Sequence, residues 1–166
     1  MQKLRNALNQ ILNVLTGVSF LVMVAITTWQ VVARYILGSP STWSEELVSY
    51  MFAWASLFGA CLVTGERGHM NIPILVEKLP EKGQKVMAVL GELIALAFSI
   101  IILLIGGTQI TKLAMGQLTS SLGVVVGVFY FALPVAGVLN SVYCILNIVD
   151  IFKNGLPAQG QEETEV

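Results

Sequence analysis

Residues 6–33 read NALNQILNVLTGVSFLVMVAITTWQVVA, 28 consecutive positions between Arg5 and Arg34 without a charge. A bilayer core of about 30 Å takes roughly 20 apolar helical residues, so this stretch spans a membrane with length to spare. Three more uncharged windows follow: residues 47–65 and 93–111, of 19 positions each, and residues 113–149, of 37. None alternates apolar with polar positions as a membrane β-strand does, and only helices or closed barrels satisfy their backbone groups in lipid. The sequence therefore reads as an all-α integral membrane protein with four transmembrane helices.

Composition agrees, with 55% apolar and 11% charged side chains in 166 residues. Four spans, about 8–36, 43–65, 86–111 and 122–151, use up residues 1–154 as one membrane domain and leave no room for a soluble catalytic domain. The Gly-, Gln- and Glu-rich residues 155–166 read as a disordered cytoplasmic tail. Between the second and third spans, Ile72, Leu75, Val76 and Leu79 repeat at i, i+3, i+4 and i+7 after the glycine-punctuated turn 65–71. That pattern predicts a short amphipathic helix lying on the cytoplasmic membrane surface.

Orientation follows from the cations. With the N-terminus inside, Lys3, Arg5, Arg67, Lys78, Lys82, Lys85 and Lys153 are cytoplasmic, and only Arg34 and Lys112 lie outside. Lys and Arg are retained on the cytoplasmic side, so both termini are expected there. The first apolar run is too long for a secretory signal and lacks a small-x-small cleavage site, so it should remain as the first helix.

Local signals refine the boundaries. Gly38, Ser39, Pro40 and Ser41 stop the first helix, and Thr42 with Glu45 has the spacing of a capping box for a second helix beginning near Trp43. Residues 112–121 read as the second outer connector. Pro134 falls inside the fourth span and predicts a kink. Gly123-x-x-x-Gly127 at the start of that span, and Gly91-x-x-x-Ala95 with Ser99 on the third, have the small-residue spacing that permits close helix contact in lipid.

Few residues carry candidate chemistry. Cys61 and Cys144 sit inside apolar spans, where a disulfide or metal site is not expected, and one histidine is too few for a two-ligand haem. No cofactor, metal, catalytic constellation or nucleic-acid partner is expected. Arg34 should pair with Glu45 or Glu46 across the first turn, although headgroup anchoring, capping and an interfacial Trp43 explain the same residues. Arg67 and His69 form a polar pair at the inner turn. Glu92 lies about 9 Å along the third span if that helix enters lipid near Val86. There it is an interfacial or helix-contacting carboxylate, or, on the sharper alternative, the coupling group of an independent small proton-coupled transporter or channel.

In order, Arg34-Tyr35 with Gly38, Trp43-Ser44-Glu45-Glu46, Trp54, Gly59-Ala60, then Arg67 and His69 resemble the small four-helix membrane subunit of tripartite ATP-independent periplasmic (TRAP) transporters. The resemblance is close from Arg34 to about Pro80 and rests elsewhere on length, span count and the late Pro134. It implies a scaffold in the bacterial inner membrane. The partners it implies are the lipid bilayer, a periplasmic solute-binding protein and a large multi-span subunit that moves an organic acid by an elevator-like motion coupled to sodium. Arg34, Trp43, Glu45, Glu46, Trp54, Gly59, Arg67 and His69 are accordingly the expected structural and partner-contacting residues, and the small-residue spacing adds Gly123 and Gly127.

Overall fold

A computed structural model of the protein describes residues 2–66 and 80–154. The amphipathic surface helix, Arg67, His69 and the tail 155–166 lie outside the described residues. Within them the fold is all-helical, and four helices are long and apolar enough to cross a membrane. The first span is α1 (Gln2–Tyr35) and the second α2 (Thr42–Gly65). The third is α3 (Glu81–Phe98), continued by a π-helical segment (Ser99–Gly106) and α4 (Gly107–Ala114). The fourth is α5 (Val126–Tyr130) followed by α6 (Ala132–Asn154).

At 34 residues, α1 is about 51 Å long, well beyond the thickness of a bilayer core. It ends where Gly38 adopts φ +64°, a left-handed conformation that side chains resist. The N–H groups of Leu37 and Ser39 then donate to the carbonyls of Val32 and Ala33 at 3.2 and 3.1 Å.

The start of α2 departs from the capping-box expectation. Ser41, in extended backbone, is the N-cap and makes no side-chain cap bond, while Thr42 is already helical. Ser44 donates its hydroxyl to the Ser41 carbonyl at 2.7 Å. The Glu45 carboxylate faces α1, where a cation and an amide donor offer it stronger partners than a neighbouring backbone N–H.

The third and fourth spans also differ in detail. Helix continues to Ala114, and residues 115–125 fold into a compact turn in which Thr119 N–H donates to Val124 O and Val126 N–H to Gln117 O, both at 2.9 Å. Gly123 holds this turn with φ +65°. It therefore precedes the helix, and Gly123-x-x-x-Gly127 is no helix-packing face. Gly127 alone makes a close contact, with Met115. Gly91 also departs from expectation, since a Cβ there would meet nothing within 4 Å. The fourth span is interrupted at Phe131, three residues before Pro134, which has no N–H to donate to the Tyr130 carbonyl, while Phe131 and Val135 still donate to Gly127 and Phe131 at 3.0 and 3.4 Å.

α1 packs on α2, α2 on α6, and α6 on the third span. The fourth span is thus central: 39% of its most apolar window is buried, against 11% for the first span and 6% for the third. Leu12, Phe58, Cys61, Leu62, Ala136 and Tyr143 form the core between α1, α2 and α6. Cys61 and Cys144 are free and buried. On the other side, Gly137 lets α6 seat directly on the π-helical segment, where a Cβ would lie 2.8 Å from the Leu104 backbone nitrogen. Most remaining large apolar side chains, such as Leu21, Ile94 and Phe152, face outward. In water such a surface would drive aggregation; against lipid tails it is the expected finish of a membrane bundle.

Candidate functional site: polar junctions at the two ends of the bundle

Inside an apolar bundle every polar side chain must find a protein partner, because lipid offers none. Here most of them gather at the two ends, with Asn140 and Ser99 meeting between these at mid-span. The end that holds the start of α1 and the finish of α6 is tied together by Asn147, which is wholly buried on α6. Its amide donates to Glu92 Oε1 on α3 and to the Thr64 carbonyl on α2, each at 2.9 Å. Its carbonyl oxygen accepts from the Arg5 guanidinium on α1. One residue thus bonds to all three other spans.

The surroundings extend the same junction. Arg5 also lies 3.8 Å from Asp150, both partly buried. Tyr143, one turn before Asn147 and fully buried, donates its hydroxyl to Asn9 Oδ1 at 2.7 Å. Its ring presses on Gly65, where a Cβ would come within 2.6 Å of Tyr143 Cε1, so α2 approaches this closely only as glycine. Higher on α6, Asn140 donates to Ser99 Oγ at 2.6 Å, at the start of the π-helical segment. Glu92, read from sequence as either a helix-contacting carboxylate or a proton site, is therefore engaged by Asn147.

At the opposite end, Glu46 on α2 closes a second junction. Its carboxylate accepts the backbone N–H groups of Ser120, Ser121 and Leu122 at 3.1, 2.8 and 3.1 Å. Three donors converging on one anion form a backbone nest, which holds the 115–125 turn against α2. Below it, the rings of Tyr50 and Phe129 stack at 3.9 Å with planes 8° apart, joining α2 to α5. Glu45 lies on the other side of α2, accepting from Gln30 Nε2 at 3.0 Å and standing 3.8 Å from Arg34. Arg34 and Glu45 are about half exposed, which places their ion pair in the weak class, worth about 0–1 kcal/mol. Trp43 is 43% exposed at the same level. Trp54 packs edge-on to Phe58 at 5.5 Å, and Gly59 faces open space.

Arg5, Asn9, Tyr143, Asn147 and Asp150 were not singled out from the sequence. A signal was there: Asn140, Tyr143, Asn147 and Asp150 recur at i, i+3, i+7 and i+10, a polar stripe down one face of an apolar helix. A stripe of that kind in lipid requires partners on neighbouring spans.

The four apolar spans and the two junctions define a small polytopic membrane protein braced through its own polar residues. Residues 23–154 match the family of tripartite ATP-independent periplasmic transporters, DctQ component, and the chain belongs to that family. It is 30% identical over 138 residues to a sialic acid TRAP transporter small permease protein, SiaQ, of Vibrio cholerae, covering 83% of this chain and 79% of that protein. A putative TRAP transporter small permease protein of Haemophilus influenzae is 30% identical over 151 residues, 90% of this chain and 92% of its own length. A sialic acid TRAP transporter permease protein, SiaT, of Haemophilus influenzae is 30% identical over 78 residues, 47% of this chain but 13% of that much longer protein.

Proposed function

We propose that this chain is the scaffold subunit of a TRAP transporter in a bacterial inner membrane. It holds a large transport subunit in place during sodium-coupled uptake of an organic acid delivered by a periplasmic binding protein. The observation that carries this reading is the commitment of the buried polar groups to bonds between spans: Asn147 to α1, α2 and α3, Tyr143 to Asn9, and Glu46 to the 115–125 turn. A solute carrier must release and remake polar contacts during its cycle, whereas a brace keeps them. The relative in which a matching segment is a small part of a longer permease supports a large membrane partner. The relatives described as sialic acid transporters support an organic acid as the solute.

Reconstitution tests this. Proteoliposomes containing this chain alone should take up no solute, and addition of the large subunit, the binding protein and an inward sodium gradient should produce uptake. Glu92→Gln should retain appreciable uptake in the complete system, because its amide oxygen still accepts from Asn147. Proton-driven transport by the isolated chain that Glu92→Gln abolishes would establish the independent transporter in place of the scaffold.

The orientation proposed from the cation distribution places Asn147 at the cytoplasmic end and Glu46 at the periplasmic end. Single cysteines at Ser39 and Gln117 should react with an impermeant thiol reagent in intact cells, and one at Gln84 should not. The opposite pattern would invert the topology.

A further inference from the structure

The third span is one residue too long for its own contacts. From Ser99 onward its buried positions are Ser99, Gly107, Thr111 and Ala114, the last three standing 8, 12 and 15 residues beyond the first. An α-helix turns about 100° per residue, which would carry those three about 80°, 120° and 60° away from the line of Ser99. With one residue taken out the counts become 7, 11 and 14, and all three return to within about 40° of that line. The π-helical segment absorbs the surplus. Gly107 N–H accordingly donates to the carbonyl of Ile102, five residues back.

A pair of glycines shows where else the surplus can sit. Gly107 is required in its place, because a Cβ there would lie 2.8 Å from Leu133 Cβ and 3.2 Å from Pro134. Gly106 has no such neighbour: a Cβ would meet only Ile101 O of its own helix, at 3.6 Å, an ordinary contact. A glycine inside a helix costs conformational entropy, so Gly106 serves nothing in this arrangement. It acquires a purpose when the surplus residue lies beyond it. In the unbroken α-helical phase of Ser99, Gly106 is seven residues on and takes the seat of Gly107 against Leu133 and Pro134.

We propose that the third span is a two-register element, in which the surplus residue passes between the Ser99–Gly106 segment and residues 107–111 while both ends stay anchored. Glu92 with Asn147 and Ser99 with Asn140 hold the lower end, and Met115 against Gly127 holds the upper. The wall between them is smooth, since Gly137 offers no side chain to the backbone at Leu103 and Leu104. Residues 100–105 are six consecutive Ile and Leu, so a turn of about 100° exchanges one aliphatic side chain for another and buries no polar group. Leu104 turns outward and Ile102 inward. Whatever packs on the outer side of this span, the least buried of the four, meets a different aliphatic face in each register. The proposal does not depend on the scaffold reading.

Methyl NMR of the full chain in lipid nanodiscs tests it, because helix register shifts fall in the μs–ms range that relaxation dispersion reads. Ile102 and Leu104 methyls should show exchange about two-fold or more above that of Leu93 and Leu113, which lie outside the moving stretch. Gly106→Ala should abolish the excess without lowering the thermal midpoint, since its methyl fits the present register and would strike Leu133 in the other. Deleting Ile102 removes the surplus itself. That protein should stay folded and lose the exchange, whereas deleting Val142 from α6, which has no residue to spare, should unfold the bundle. Exchange at Ile102 and Leu104 no greater than at Leu93 and Leu113, or unchanged by Gly106→Ala, would overturn the proposal. So would a deletion of Ile102 as damaging as that of Val142.

Discussion

Asn147→Ala is expected to lower the thermal midpoint of the detergent-solubilised protein by about 5–15 °C, the largest effect of any single polar substitution in the bundle. The substitution removes hydrogen bonds to three spans at once and leaves the Thr64 carbonyl without its amide donor in a buried site. Interhelical bonds in membranes average about 0.6 kcal/mol each and reach about 1.7, while a buried group left unsatisfied costs about 1–3 kcal/mol. Together these give about 2–4 kcal/mol, and a domain of this size shifts by about 2–4 °C per kcal/mol. The readout should be specific to the junction. In a double-mutant cycle with Glu92→Ala, the two losses should fall short of additivity, because each removes the same bond. Strict additivity, or a shift under a degree for Asn147→Ala, would mean that the spans are held by apolar packing alone.

Glu46→Ala should release the 115–125 turn from α2. Amide exchange at Ser120, Ser121 and Leu122 should accelerate by about 10–100-fold, since bonds to a charged acceptor contribute about 1.5–3 kcal/mol. Glu46→Gln retains an acceptor oxygen without the charge and should lie between. Arg34→Ala and Glu45→Ala should change stability by less than about 1 kcal/mol, because their pair is half exposed. The order matters more than the size: a greater effect at Arg34 than at Glu46 would move the essential contact of this end to the α1–α2 pair. If exchange at 120–122 is unaffected by Glu46→Ala, the backbone bonds of the turn hold it alone.

Much of this was legible before any fold was in hand. Uncharged windows specify spans because the cost of a charge in hydrocarbon is a property of the residue and not of its neighbours. Gly38 and the Ser-Pro pair after it marked the first turn for the same local reason. Trp43, Glu45 and Glu46 were picked out as an outer cluster, but their separate jobs were not. Adjacent residues on a helix point about 100° apart, so Glu45 meets α1 while Glu46 meets a turn 74 residues further on. The capping box misled for a related reason: spacing shows that a local bond is possible, whereas Gln30 and Arg34, brought in by packing, decide where the carboxylate goes.

By itself, then, the sequence determined the solvent, the class, the number of spans and the places where the chain turns, since each follows from short-range composition and backbone preference. Only the tertiary structure decided which spans touch, that the fourth lies at the centre, and that Asn147 rather than Glu92 organises the polar junction. Helix pairing in lipid is selected by close backbone approach and by satisfied polar groups. Both depend on which residues meet across distances in sequence such as Gly137 with Leu104 or Asn147 with Arg5, and no local pattern records those meetings.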